Sequence, residues 1–120
     1  MRIFICGFGT VGQGFAEVLA RRKEFLEERY DCPIQITGAM DSRTYVLDRD
    51  GLDPLDLIAT KQRTGRVGEN EYSDSLEVLD QAAYDILVEV SPTDVKTGGA
   101  GLRNITHALE NRKDVITVNK

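Results

Sequence analysis

Near the start of the chain, Gly7-Phe8-Gly9-Thr10-Val11-Gly12 has the residue types and spacing to hold a phosphate. In a strand–turn–helix setting each glycine of such a run has its own task. Gly7 permits a tight turn, Gly9 leaves room for a pyrophosphate to approach the main chain, and Gly12 lets a helix lie close to a strand. The anion rests on unpaired N–H groups of the first helical turn, and the helix dipole favours it there. The setting is present. Ile3-Phe4-Ile5-Cys6 reads as a short buried strand, and the residues after the glycines place Val11, Phe15, Val18 and Leu19 at helical spacing. The chemistry this predicts is dinucleotide binding.

Two further groups stand where the ends of such a ligand would fall. An acidic residue closing the second strand reads the ribose hydroxyls of a bound dinucleotide, and here that residue is Asp41. It lies further from Gly12 than the ~20 residues usual for the fingerprint, an excess that a long charged first helix accounts for. A cap or turn residue is the alternative for the same carboxylate. Arg43 suits a 2′-phosphate, so Asp41 and Arg43 together leave both NAD and NADP open, with Lys61 as a second candidate cation. Ligands of open parallel sheets bind beyond the carboxyl ends of the strands. The apolar run at residues 85–90 ends at Ser91-Pro92-Thr93, which sets Ser91 and Thr93 beside a nicotinamide and its ribose. An ordinary strand-to-helix turn is the alternative reading of Ser-Pro-Thr.

The elements that must position these residues alternate between strand and helix. A first helix is predicted over Thr10–Tyr30, its second half a charged, solvated face, stopped by Asp31-Cys32-Pro33. Residues 34–40 read as a second strand. Residues 45–75 are less regular. A short helix over 54–61 with Asp53 as N-cap is expected there, then a loop over 64–74, and residues 75–79 fit either strand or helix. Residues 85–90 form a third strand, buried on both faces. A flexible link over 97–101 leads to a helix over 102–111 with an apolar face at Leu102, Ile105, Ala108 and Leu109. A fourth strand over 115–118 leads to Asn119-Lys120. The fold expected is α/β, a Rossmann-type doubly wound sheet of parallel strands in the order 3-2-1-4 about the glycine turn. Four such strands are fewer than the six of a full dinucleotide fold, and no substrate-binding segment follows. The expectation is therefore that residues 1–120 are the N-terminal, cofactor-binding part of a longer enzyme.

Composition narrows the partners. A net charge of −5 argues against nucleic acid, whose phosphates require clustered Lys and Arg. No apolar run reaches the ~20 residues of a membrane span, and strand residues begin at once, so no secretory leader is expected and the cytoplasm is the default compartment. Cys6 and Cys32 are expected to be reduced and structural. With His107 the single histidine, no metal site is expected.

Taken together the pieces resemble the N-terminal domain of homoserine dehydrogenase. The resemblance rests on residues 7–14, Asp41-Ser42-Arg43, Glu89-Val90-Ser91-Pro92-Thr93-Asp94 followed by Thr97-Gly98, and the stretch from Ala108 through Val118-Asn119-Lys120. The glycine motif is common to many nucleotide-binding proteins. The Ser-Pro-Thr-Asp stretch and the terminal Thr-Val-Asn-Lys are the more specific parts. The resemblance implies a parent enzyme that interconverts homoserine and aspartate 4-semialdehyde with NAD or NADP. It implies that Gly9, Thr10 and Val11 carry the pyrophosphate and that Ser91 and Thr93 line the nicotinamide side. It also implies an acid/base role for Lys120 near the nicotinamide ribose and substrate. The family's second lysine, acidic substrate residues and sodium site have no counterpart here, so this chain is expected to bind cofactor without turning over homoserine, and the full enzyme to be a homo-oligomer through the part absent here. Another semialdehyde or amino-acid dehydrogenase with the same front half, and a non-catalytic nucleotide-binding module, are the competing readings. The sequence beyond Lys120 separates them.

Overall fold

The structure, a computed structural model, describes residues 1–92 and 99–118, without the side chain of Ala100. In chain order the elements are β1 (Arg2–Cys6), α1 (Thr10–Tyr30), β2 (Gln35–Met40), β3 (Thr44–Leu52), α2 (Pro54–Thr64), β4 (Asn70–Glu71), α3 (Ser75–Gln81), β5 (Ile86–Glu89), α4 (Gly99–Glu110) and β6 (Asp114–Thr117). The described strands form one sheet in the order β4-β3-β2-β1-β5-β6.

The α/β class and the interior place of β1 agree with the sequence reading. The all-parallel sheet and the order 3-2-1-4 do not. The strand at 86–89 lies beside β1, paired Ile3 to Ile86 through Cys6 to Glu89, and not beyond β2. The position next to β2 belongs to β3, which the sequence reading passed over, and β3 runs antiparallel to β2, as β4 does to β3. An antiparallel neighbour needs only a tight turn, whereas a parallel one needs a crossover, and residues 41–43 supply that turn. Residues 75–79, left open between strand and helix, are helical, with the Asp74 side chain accepting from the Leu76 N–H. Asp53 caps α2 as predicted, accepting from Leu55. The expected link at 97–101 is in part helix, since α4 begins at Gly99; Thr97 and Gly98 lie outside the described residues.

Two apolar layers sandwich the sheet. On one face Ile3, Ile5, Ile36 and Val88 pack against Ala16 and Leu19 of α1 and Leu57 of α2. On the other, Phe4, Met40 and Leu87 pack against Val78 and Leu79 of α3 and Ala108 of α4. The helix faces agree only in part with those expected: Leu19 and Ala108 are buried as read from the sequence. Val11 and Val18 are more than half exposed, as are Leu102 and Leu109. The buried stripe of α1 is Gly12, Ala16 and Leu19, and that of α4 includes Gly101, Asn104 and Ala108. Small residues bring each helix axis nearer the sheet than a row of valines and leucines allows.

Candidate functional site

The carboxyl ends of β1, β2 and β5 open into a cleft of about 610 Å³, a volume in the range of small-molecule sites. The glycine turn forms its floor. Gly7 has φ +98°, a left-handed conformation that glycine adopts without strain, and its N–H donates to the Met40 carbonyl at 2.8 Å. A Cβ on Gly7 would lie 2.6 Å from the Ser91 nitrogen, and one on Gly12 would lie 2.2 Å from the Gly7 carbonyl oxygen. Both glycines are required by protein packing alone. Gly9 differs: a Cβ there meets nothing within 4 Å. The space above Gly9 is open cleft, the space a pyrophosphate needs. Gly9 is the N-cap of α1 and offers no side-chain acceptor, so the first-turn N–H groups, those of Thr10 and Val11 among them, are uncapped where the helix meets the cleft. The Gln13 amide donates to the Phe8 carbonyl at 3.1 Å and braces the turn from behind. The fit to a dinucleotide therefore rests on an open Gly9, an uncapped helix start and a cleft of adequate volume.

Asp41 closes β2 at the edge of this cleft, but its carboxylate is already engaged. Oδ1 accepts from the N–H groups of Arg43 (2.9 Å) and Thr44 (2.6 Å); Oδ2 accepts from the Val67 N–H (2.8 Å) and Lys61 Nζ (3.1 Å); the Thr44 hydroxyl reaches both at 3.0 Å. A carboxylate offers about four lone-pair sites, and these donors fill them. Burial alone would push the Asp41 pKa up, but the three backbone N–H groups and Lys61 outweigh it and hold the pKa at about 2. The turn role, the alternative in the sequence reading, describes this geometry. Tyr72 adds a further tie, donating its hydroxyl to the Asp41 carbonyl at 2.6 Å. Burial, then the charges of Cys6, Asp41 and Glu89, push that phenol up to about 12, so it stays a donor.

Beside Asp41 the cleft continues into a polar annex of about 330 Å³ that includes Ser42, Arg43, Lys61, Thr64 and Arg66. Arg43 is exposed, and Lys61, the second candidate cation, stands beside it through its ion pair with Asp41. At the other side of the glycine turn Ser91 lines the cleft just after β5. Thr93 and Lys120 lie outside the described residues.

Sequence reasoning missed three groups that shape the site. Glu89 is fully buried and Asn104 nearly so; Tyr72 lies in the segment read as loop. A glutamate inside an apolar run was the available signal for Glu89. Asn104 falls at i+3 from Gly101 and i−4 from Ala108, a polar residue on a small-residue face. Nothing local marks Tyr72. His107 pairs across helices with Asp80 at 2.7 Å, away from the cleft.

Comparison with known proteins shows the family and the fold. The family model described as homoserine dehydrogenase, NAD binding domain, matches residues 7–120. A homoserine dehydrogenase of Methanocaldococcus jannaschii is 34% identical over 124 residues, covering 100% of this chain and 37% of that protein. The crystal structure of homoserine dehydrogenase from Thermoplasma acidophilum superposes with a TM-score of 0.77 at 30% identity, over 99% of this chain and 35% of its own. That from S. aureus gives 0.64 at 25% identity, over 99% and 26%. This chain thus spans little more than a third of its relatives' length or less. It belongs to the family of homoserine dehydrogenase NAD-binding domains.

Proposed function

We propose that this chain is the cofactor-binding part of an NAD(P)-dependent homoserine dehydrogenase, the oxidoreductase that interconverts homoserine and aspartate 4-semialdehyde on the way to threonine and methionine. The observation that carries the reading is Gly9. Of the fingerprint glycines it alone has no packing reason to lack a side chain, and the space it leaves is open cleft. In this reading Gly7 and Gly12 shape the turn, and the main chain of Gly9, Thr10 and Val11 receives the pyrophosphate. Ser42, Arg43 and Lys61 meet the adenosine ribose. Asp41, with its lone pairs filled from within, sets the turn that presents Arg43 and does not itself read the ribose. The annex cations favour acceptance of NADP beside NAD. Ser91 and Thr93 stand on the nicotinamide side, and Lys120 takes the hydroxyl proton of the substrate. The bound nicotinamide supplies the hydride acceptor. The domain is proposed to comprise residues 1–120, and turnover to belong to a longer, cytoplasmic, homo-oligomeric protein, since holding the alcohol carbon at near-attack distance needs a second wall that these residues do not provide.

Gly9→Val tests the reading. A branched side chain enters open space, so the variant folds with no more than the roughly 1 kcal/mol that a poor N-cap residue costs, while calorimetric titration shows dinucleotide binding lost. Unchanged affinity in the folded variant would remove Gly9, and with it the phosphate site, from the proposal.

A further inference from the structure

Glu89 is buried at the carboxyl end of β5 with no exposed surface. Its Oε1 accepts from both the backbone N–H and the hydroxyl of Ser91. Its Oε2 accepts from the Asn104 amide at 3.2 Å, and the same amide reaches Cys6 Sγ at 3.1 Å. The Asn104 carbonyl is satisfied in turn by the Ser75 hydroxyl at 2.6 Å. The chain of donors runs one way, from Ser75 through Asn104 to Glu89. Every partner on Glu89 in that chain, and Ser91 from the other side, is a donor, the set that an acceptor-only carboxylate takes. Among the described residues no Lys, Arg or His forms an ion pair with it, unlike Asp41.

A serine hydroxyl has one proton and two lone pairs and ordinarily turns to suit its surroundings. That of Ser91 is not free to do so. Its proton points inward to Glu89, so the lone pairs are what Ser91 shows to the cleft it lines. We infer that Glu89 is a positioning residue that makes Ser91 an obligate hydrogen-bond acceptor, selecting a donor group on the nicotinamide half of the cofactor. The donor is a ribose hydroxyl or the carboxamide N–H. Glu89 never touches the ligand, because it contributes no surface to the cleft. The inference rests on the dinucleotide reading above.

The test compares NADH with ADP-ribose, which lacks the nicotinamide, by titration of the chain. Wild type binds NADH more tightly than ADP-ribose. Ser91→Ala and Glu89→Gln each weaken NADH by roughly tenfold, the loss of about one hydrogen bond, and leave ADP-ribose nearly unchanged. In the Ser91→Ala background Glu89→Gln causes no further loss, because its effect passes through the hydroxyl. Glu89→Asp, which draws the acceptor back by a methylene, gives the same selective loss and serves if the glutamine variant does not fold. The acetylpyridine analogue of NADH, which has no carboxamide N–H, separates the two donors: a loss that persists with it assigns the ribose hydroxyl, and one that vanishes assigns the carboxamide. Equal weakening of NADH and ADP-ribose by Glu89→Gln, or a loss that adds to that of Ser91→Ala, overturns the inference. Failure of wild type to bind either ligand overturns the dinucleotide reading instead.

Discussion

Among the described residues two carboxylates are buried at the carboxyl ends of the strands that flank β1: Asp41 after β2 and Glu89 at the end of β5. They solve opposite problems. Asp41 gathers donors from residues 43, 44, 61 and 67, including the ammonium of Lys61, and so ties a turn, a helix and a loop to one point. Glu89 gathers neutral donors and one of them, Ser91, stands in the cleft. The first carboxylate is charge-compensated and structural. The second spends its acceptor capacity on orienting another side chain. A buried acid near a ligand cleft is thus not in itself a reader of the ligand; what matters is whether its partners end inside the protein or at the cleft wall.

The sharpest way to break this comparison is to remove the structural member. Asp41→Ala leaves Lys61 without its anion and strips three backbone N–H groups of their acceptor in a region with little access to water. Losing one partner of a buried ion pair costs about 3–5 kcal/mol, and because Lys61 keeps 20% of its side-chain surface exposed the lower end, about 3 kcal/mol, is expected in urea unfolding. Stability within about 1 kcal/mol of wild type, a surface-like value, would show that the loop at residues 64–68 holds without Asp41, and the contrast with Glu89 would fail.

The same carboxylate sets part of the acid limit of the fold. Its pKa is held at about 2 in the folded chain against 3.8 as a free side chain. The folded value is depressed, so the stabilisation is complete above the unfolded pKa and is lost as pH falls through the folded one. That contribution is on the order of 2 kcal/mol. Stability measured between pH 5 and pH 2 therefore falls in wild type and falls less steeply in Asp41→Asn. The slope that remains belongs in part to Asp85, held near 2 chiefly by its hydrogen bond from Arg2. Asp85 is about half exposed, so its share is smaller. Identical slopes in wild type and Asp41→Asn would show that the donors around Asp41 do not favour its charged form.

A feature of this chain is legible in its sequence to the extent that the signal for it is local. The glycine turn is legible because its parts are consecutive: β1 ends, Gly7 takes φ +98°, and α1 begins at Thr10. β3 is not legible because its second half, Asp48-Arg49-Asp50-Gly51, is solvated or half-buried and shows no alternating pattern. Antiparallel pairing to β2 brings the whole segment into the sheet. The helix faces were legible only in part: Leu19 and Ala108 are buried as expected, but counting apolar residues also favours Val11, Val18, Leu102 and Leu109, whereas close packing on the sheet selects Gly12, Ala16 and Gly101. The sequence shows Asp41 at the end of β2, but its partners include Lys61 and Val67, distant in sequence and joined to it only by the fold.

The smallest effect expected separates the two rims of the cleft by cofactor choice. Arg43 sits on the Asp41 side, its N–H donating to Asp41 Oδ1 while its side chain lies in the annex. If the annex receives a 2′-phosphate, the Arg43 guanidinium adds a charge-assisted hydrogen bond that NAD, with a hydroxyl at that place, cannot match. Such bonds contribute about 1.5–3 kcal/mol, and exposure of Arg43 sets the lower figure, roughly a tenfold loss of NADP affinity in Arg43→Ala with NAD changed far less. The backbone N–H that braces the turn is kept in this variant, so Asp41 and the fold are undisturbed and the unfolding transition stays that of wild type. Salt dependence gives a second reading of the same bond: raising ionic strength weakens NADP more than NAD in wild type, because an exposed charge pair is screened, and Arg43→Ala narrows that difference. Equal losses for NAD and NADP would take Arg43 out of phosphate recognition and leave Lys61, already neutralised by Asp41, as the weaker candidate for that role.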